Sequence, residues 1–218
     1  MQGKLIVLEG CDGCGKSTQL ELLGKALAAA GKTYRSLSYP VYSSPASAPV
    51  RMYLAGEFGK DPASVNPYAA SSFYAVDRMA DYLANWKKDY DEGMLFISGR
   101  YTTSNAVHQG AKLKGVEREQ YTDWLFDYEY RLLGLPKPDL VIYLDIPVSL
   151  ALSNIEKRGE AKDIHESENY ITASRESALF SADRYGWHVL RCDREGKMRS
   201  PAEICDDIMK EIRDLGLC

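Results

Sequence analysis

Apolar residues along the chain fall into runs of two kinds. Five short runs read as buried strands: 5–9 (LIVLE), 34–40 (YRSLSYP), 94–98 (MLFIS), 140–145 (LVIYLD) and 187–192 (WHVLRC). The two strongest are continuously apolar instead of alternating, as parallel strands covered on both faces are. Between them lie longer stretches with apolar residues at helical spacing: 16–30, 67–88, 117–134, 147–158, 166–185 and 201–215. Gly134 supplies a stop for the third, and Pro147 suits the first turn of the fourth. Strand and helix alternate throughout. The pattern predicts an α/β protein with a five-stranded parallel sheet and helices on both faces. The 218 residues suffice for one domain with a full core. The richest Pro/Ser stretch, SSPASAP at 43–49, is too short to divide it.

Composition narrows the class only slightly. Hydrophobic residues make up 45% and charged residues 27%, ordinary for a globular protein in water. The net charge is −4, so no basic surplus exists to hold a nucleic-acid backbone, and no nucleic-acid partner is expected. No apolar run reaches membrane-spanning length and no secretory leader pattern opens the chain, so no membrane association is expected. The five cysteines (Cys11, Cys14, Cys192, Cys205 and Cys218) are odd in number and unevenly spread. That is a poor disulfide framework, and it points to a reducing cytoplasm.

The first strand run leads into GCDGCGKS at 10–17, which reads G-x-x-x-x-G-K-S. This is the pattern of a phosphate-binding loop, which needs a strand before it and a helix after it; KLIVLE and QLELLGKALAAA supply both. Gly10, Gly13 and Gly15 are expected at dihedral angles costly for other residues, so that freed N–H groups and the helix N-terminus point at phosphate. Lys16 would reach the β- and γ-phosphates, and the Ser17 hydroxyl is the expected Mg²⁺ ligand. Gly10, Cys11, Asp12, Gly13, Cys14, Gly15, Lys16, Ser17 and Thr18 together would hold ATP. Cys11 and Cys14 also spell C-x-x-C, a redox or half-zinc pattern. Zinc lacks a second pair of ligands in the sequence. A helix N-terminus would favour a redox thiolate, but both cysteines occupy free positions of the loop and are read as small side chains that fit.

Residues downstream narrow the function. EGCDGCGKST at 9–18, Tyr39-Pro40, FYAVDR at 73–78 and SGRYTTSNAVHQGAKL at 98–113 are similar to the corresponding segments of the thymidylate kinases, and the resemblance covers about residues 3–213. It implies the P-loop NTPase fold, transfer of the ATP γ-phosphate to dTMP, Mg²⁺, and a homodimer. It implies Asp12 at the acceptor's 3′-hydroxyl, and Tyr39, Pro40 and Tyr42 at the acceptor; some members carry a phosphate-binding Arg where Tyr42 stands. Tyr74 would stack on thymine. Arg78, four residues later on the same helix face, would hold the acceptor phosphate. Arg100 would bridge the donor and acceptor phosphates. Asn105 and Gln109 match polar positions near the acceptor base and sugar, and His108 stands near C2′, where many members have Tyr. Residues 156–171 resemble the family's lid, with Arg158 and Lys162 as candidates to close over the phosphates. The resemblance thus puts catalysis on Lys16, Arg100 and Arg158.

One position departs from the family pattern. Gly99 precedes Arg100 where the family usually has an Asp that helps place Mg²⁺. Metal would then rest on Ser17, nucleotide oxygens and water, with Glu9 or Asp12 assisting through water. Two alternatives stay open at this point: a kinase for another nucleoside monophosphate or a nucleoside, and a nucleotide-binding regulatory protein with weakened catalysis. No N-K-x-D guanine motif is present, which argues against a GTPase switch.

Overall fold

The computed structural model describes residues 2–59, 61–158 and 168–217. β1 (Lys4–Glu9) leads through the phosphate loop into α1 (Lys16–Ala29) and then β2 (Tyr34–Leu37). α2 (Ala48–Leu54) follows. α3 (Pro67–Asp81) continues through a π-turn at Tyr82–Trp86 into α4 (Lys87–Asp91). Next come β3 (Leu95–Ser98), α5 (Thr102–His108) and α6 (Gly115–Phe126), the last ending in a second π-turn at Asp127–Leu132. β4 (Leu140–Asp145), α7 (Val148–Arg158), α8 (Glu168–Tyr185), β5 (His188–Arg191), a short hairpin of β6 (Asp193–Arg194) and β7 (Lys197–Met198), and α9 (Pro201–Asp214) complete the order.

The sheet runs β2-β3-β1-β4-β5 and every pairing in it is parallel. Alternation within the continuous apolar runs sorts side chains to two covered faces. Ile6, Leu8, Ile142 and Leu144 join Leu23 and Leu27 of α1 and Ile204, Ile208 and Ile212 of α9 in one core. Leu5, Val7, Phe96, Val141 and Tyr143 join Trp86, Tyr121, Leu125 and Ala178 in the other. Each full burial of such a side chain favours folding by about 1.5–3 kcal/mol. Among the described residues, no helix is long and apolar enough to cross a membrane.

The strands form where the apolar runs predict them, some of them shorter. Two helices do not follow from hydrophobic spacing. SSPASAP is not a plain loop: Ser44 accepts the Ala46 N–H and caps a single 3₁₀ turn that feeds α2. α5, of sequence TTSNAVH, is a poor helix by propensity, and six of its seven residues are buried. Tertiary contacts impose it: the Glu9 carboxylate, at the end of β1, accepts from Thr103 Oγ1 at 2.6 Å and Ser104 Oγ at 2.7 Å. The predicted helix at 67–88 starts where expected, with the Asn66 side chain accepting the Tyr68 and Ala69 N–H groups and Pro67 in the first turn.

The last helix carries a testable local device. Ser200 and Glu203 form a reciprocal capping box at the start of α9. Ser200→Ala is expected to cost about 1 kcal/mol, lowering the thermal midpoint by roughly 2–4 °C for a chain of this size. Calorimetry checks this, and an unchanged midpoint would remove the box from the stabilising contacts.

Candidate active site

The loop joining β1 to α1 holds its shape through glycine at two positions. Gly13 and Gly15 sit at φ of 80° and 86°, in the left-handed region that costs other residues energy. Gly10 does not share that conformation, contrary to expectation. Its requirement is space, since a Cβ there would lie 2.5 Å from Cys14 Sγ. Lys16 curls over the loop, its Nζ donating to the Gly10 carbonyl at 2.7 Å. Asn154 of α7 donates to the Gly13 carbonyl at 2.8 Å. Ser17 and Thr18 open α1 directly behind.

Cys11 and Cys14 point into the core, each 2% exposed, as free thiols. Burial, reinforced by the neighbouring Cys14, pushes Cys11 far above the ordinary thiol range. Burial raises Cys14 as well, and it takes Cys192 up to about 12. A reactive pair needs an accessible thiolate, so the geometry favours packing over redox chemistry.

Beside the loop opens a cleft to which several parts of the chain contribute side chains. Asp12 enters it from the loop, and Tyr39, Pro40 and Tyr42 from the segment after β2. Tyr74 and Arg78 come from α3, Arg100 from the turn after β3, Asn105 and His108 from α5, and Gln109 from the residue after it. All ten residues singled out for an acceptor therefore line one cleft. Leu54, Tyr101, Ser104 and Tyr170 line it too; Tyr101 and Ser104 stand inside the motif segment 98–113 and Tyr170 inside the segment 156–171, while nothing local sets Leu54 apart.

At one end the polar groups form a chain. Arg100 Nη2 donates to Asp12 Oδ1 at 2.9 Å, and Nη1 lies 2.9 Å from His108 Nε2. A guanidinium only donates, so Nε2 accepts and Nδ1 carries the proton toward Tyr170 Oη, 3.1 Å away. The His108 and Tyr170 rings lie parallel within 9°, with centroids 6.0 Å apart. Burial opposes the Arg100 charge, but the carboxylates of Asp12 and Glu9 more than offset it, and the guanidinium titrates above its ordinary range. Burial pushes the Tyr74 and Tyr170 phenols up, so both are neutral donors at pH 7.

The other end is built differently. Arg78 is 1% exposed and pairs with Glu129, which is fully buried. Arg78 Nε donates to Glu129 Oε2 at 2.8 Å, and Nη2 to Oε1 at 2.6 Å and to Asn105 Oδ1 at 2.9 Å. Thr102 Oγ1 also donates to Glu129, at 2.7 Å. Removing one member of such a pair typically costs about 3–5 kcal/mol, because the other charge is left buried alone. Glu129 is the residue that sequence reasoning misses. Its signal is a carboxylate four residues after Leu125, where the π-turn continues the stripe of α6 that buries Arg118, Tyr121, Thr122 and Leu125.

A second cavity adjoins the loop, where Lys16, Ser17, Ser36, Ser38, Gly99 and Arg100 meet. A Cβ at Gly99 would come within 2.3 Å of Leu20 Cδ1, so Leu20 crowds the place a side chain at 99 would take. Among the described residues, no group of three or more His, Cys, Asp or Glu side chains is placed to hold a metal. Ser17 offers its hydroxyl. Glu9 Oε2, behind it in the fold, is buried without a hydrogen-bond partner. This sparse set fits a hard cation that takes most of its shell from phosphate oxygens and water. Of the lid expected at 156–171, Glu168 onward is the first turn of α8; Lys162 and the Arg158 side chain lie outside the described residues.

With this geometry in place, the comparisons with known proteins agree. A sequence model described as thymidylate kinase matches residues 8–199. The chain is 32% identical over 210 residues to a probable thymidylate kinase of Pyrobaculum aerophilum, covering 95% of each chain. It is 31% identical over 191 residues to the thymidylate kinase of Mycobacterium tuberculosis, covering 84% of this chain and 87% of that one. Among solved structures, a thymidylate kinase from Candida albicans superimposes with a TM-score of 0.72 at 21% identity, over 98% of this chain and 92% of that one. At that identity the match speaks for the fold.

The thiols give the test of this site's packing. In a Cys218→Ser background, the native protein at pH 8 is expected to show no fast reaction with an aromatic disulfide reagent, and four thiols on unfolding. Rapid modification of two native thiols with loss of nucleotide binding would reinstate a redox pair at Cys11 and Cys14.

Proposed function

The chain belongs to the thymidylate kinase family, and from that premise we propose that it passes the γ-phosphate of ATP to dTMP, with ATP on the loop at 10–18 and dTMP in the adjoining cleft. One observation carries this reading. Arg100 lines both cavities and is bonded to Asp12 of the phosphate loop, so one cation faces both a donor and an acceptor phosphate.

The acceptor phosphate is largely dianionic at neutral pH, so no strong general base is required. The difficulty is to bring two anions into line and neutralise charge that spreads over the transferred group. Lys16 exchanges the Gly10 carbonyl for phosphate oxygens. Arg100 exchanges Asp12 for phosphate, while neutral His108 keeps an acceptor on its other arm. The Asp12 carboxylate can then accept from the acceptor's 3′-hydroxyl. Ser17 is the protein's ligand for Mg²⁺, which when bound neutralises charge on the donor phosphates.

The inner end of the cleft suits the base. Arg78, expected on the acceptor phosphate, already carries a matching carboxylate, and its one remaining Nη1–H suits a neutral carbonyl better than a second anion. Asn105 Nδ2 and Gln109 Oε1 are buried without partners, a donor and an acceptor. The 4-keto oxygen and N3–H of thymine complement them, with the ring against Tyr74. We place the reaction in the cytoplasm, where the free thiols of Cys11, Cys14, Cys192 and Cys205 persist. The enzyme is proposed as a homodimer that covers Val76, 51% exposed on α3, and Leu83, 58% exposed in the π-turn that continues it. Tyr82 and Trp86, on the same stretch, belong to the core instead.

Arg100→Ala is expected to lower the turnover of dTMP by about 10³-fold or more while ATP affinity is retained. A coupled ADP-release assay and calorimetry read the two, and undiminished turnover would dislodge Arg100 from the bridge. A panel of dTMP, dCMP and thymidine, with and without Mg²⁺, is expected to give transfer to dTMP with metal; ATP binding without transfer to any acceptor would mark a nucleotide-binding protein instead. Leu83→Glu is expected to shift sedimentation from dimer to monomer, and a dimer that survives it is held together elsewhere.

A further inference from the structure

We propose that Glu129, which lies outside the cleft, makes the cleft select a 4-keto over a 4-amino pyrimidine, acting through Arg78 and Asn105. The inference rests on the cleft being the acceptor's seat.

The argument is one of donors and acceptors. An ionised carboxylate only accepts, and a guanidinium only donates. Glu129 takes Arg78 Nε–H and one Nη2–H with its two oxygens, at 2.8 and 2.6 Å. Thr102 Oγ1 holds the same carboxylate in place at 2.7 Å. The second Nη2–H goes to Asn105 Oδ1 at 2.9 Å. That bond fixes the Asn105 amide: its oxygen is committed, and Nδ2 is left as a buried donor without a partner. Arg78 Nη1 donates one hydrogen to the Tyr101 carbonyl at 3.4 Å, so a single Nη1–H is the one donor of the guanidinium left over. Arg78 and Asn105 both line the cleft, so what they present there is donors alone.

A carbonyl oxygen at C4 satisfies such donors. An amino group brings N–H against N–H and leaves buried donors unpaired, a mismatch that sites of this kind reject strongly. Shape cannot make this distinction, because an oxo and an amino group are nearly the same size. Without the Glu129 charge the chain of constraints lapses: Arg78 is free to turn, the Asn105 amide is free to flip, and an acceptor can face the base. Glu129 is therefore a positioning residue, and its effect should appear in discrimination.

The probes are dTMP and 5-methyl-2′-deoxycytidine monophosphate, which share sugar, phosphate and methyl group and differ at N3 and C4. The wild type should prefer dTMP in kcat/KM. In Glu129→Gln that preference should fall by about 10-fold or more, chiefly through KM, with ATP affinity retained. A general loosening of the fold would lower both substrates alike and leave the ratio unmoved. Should Glu129→Gln fail to fold, Thr102→Val removes one donor that orients the carboxylate, and the preference should fall several-fold in the same direction. A folded variant whose ratio matches the wild type overturns the role of Glu129 alone. A wild type that turns over both acceptors equally overturns the donor-only selection proposed here, and one that phosphorylates neither overturns the acceptor-seat reading beneath it.

Discussion

The parallel register between β1 and β3 is the constraint on which the rest of the molecule depends. Val7 lies opposite Ser98, and on the other flank Leu8 lies opposite Ile142. In a parallel sheet the carboxyl ends of neighbouring strands emerge on one edge, so the loops that follow them become neighbours. The phosphate loop begins at Gly10, a few residues beyond Val7 on one strand, and Arg100 follows shortly after Ser98 on the other. Asp12 and Arg100, far apart in the chain, thereby come within 2.9 Å. A slip of one residue would turn every side chain of the strand to the opposite face, and with it take the Glu9 carboxylate from Thr103 and Ser104. The crevice at this edge is where open α/β sheets bind ligands.

Two arginines in the cleft show how surroundings divide one chemistry into two tasks. Arg100 is partly exposed and tied to an exchangeable carboxylate on a loop. Its charge is available to an incoming anion. Arg78 is buried against a buried carboxylate that Thr102 also holds. Its charge is spent, and what it offers is directed N–H groups. A nucleotide, anionic at one end and neutral at the other, matches this asymmetry in a single orientation.

Features that look chemically loaded in isolation turn out to be packing. Cys11 and Cys14 face the core, and the close approach of Cys14 to Gly10 explains a glycine that needs no unusual dihedral angle. Gly99 and Leu20 share one volume, so the residue missing from β3's end is accommodated by a leucine from α1. What stays open beside them is a cavity bounded by Lys16, Ser17 and two serines of the β2 end, room in which phosphate oxygens and water can complete a cation's shell.

The chain's own pattern determined the layers and the loop. Continuous apolar runs flanked by helical periodicity specify a parallel sheet with two covered faces, and G-x-x-x-x-G-K-S after the first of them specifies a phosphate site, because both signals are local and repeat within a few residues. Motifs of short range also marked Tyr74, Arg78, Arg100 and the polar residues of α5. Tertiary structure decided what those residues are worth. Only packing could turn TTSNAVH into a helix, pair Arg78 with a carboxylate 51 residues away, or hand Arg100 to Asp12 and His108 at once. Glu129 is one acidic residue among many in the sequence. Its significance arises from desolvation, which exists only once α3, α5 and α6 have closed around it.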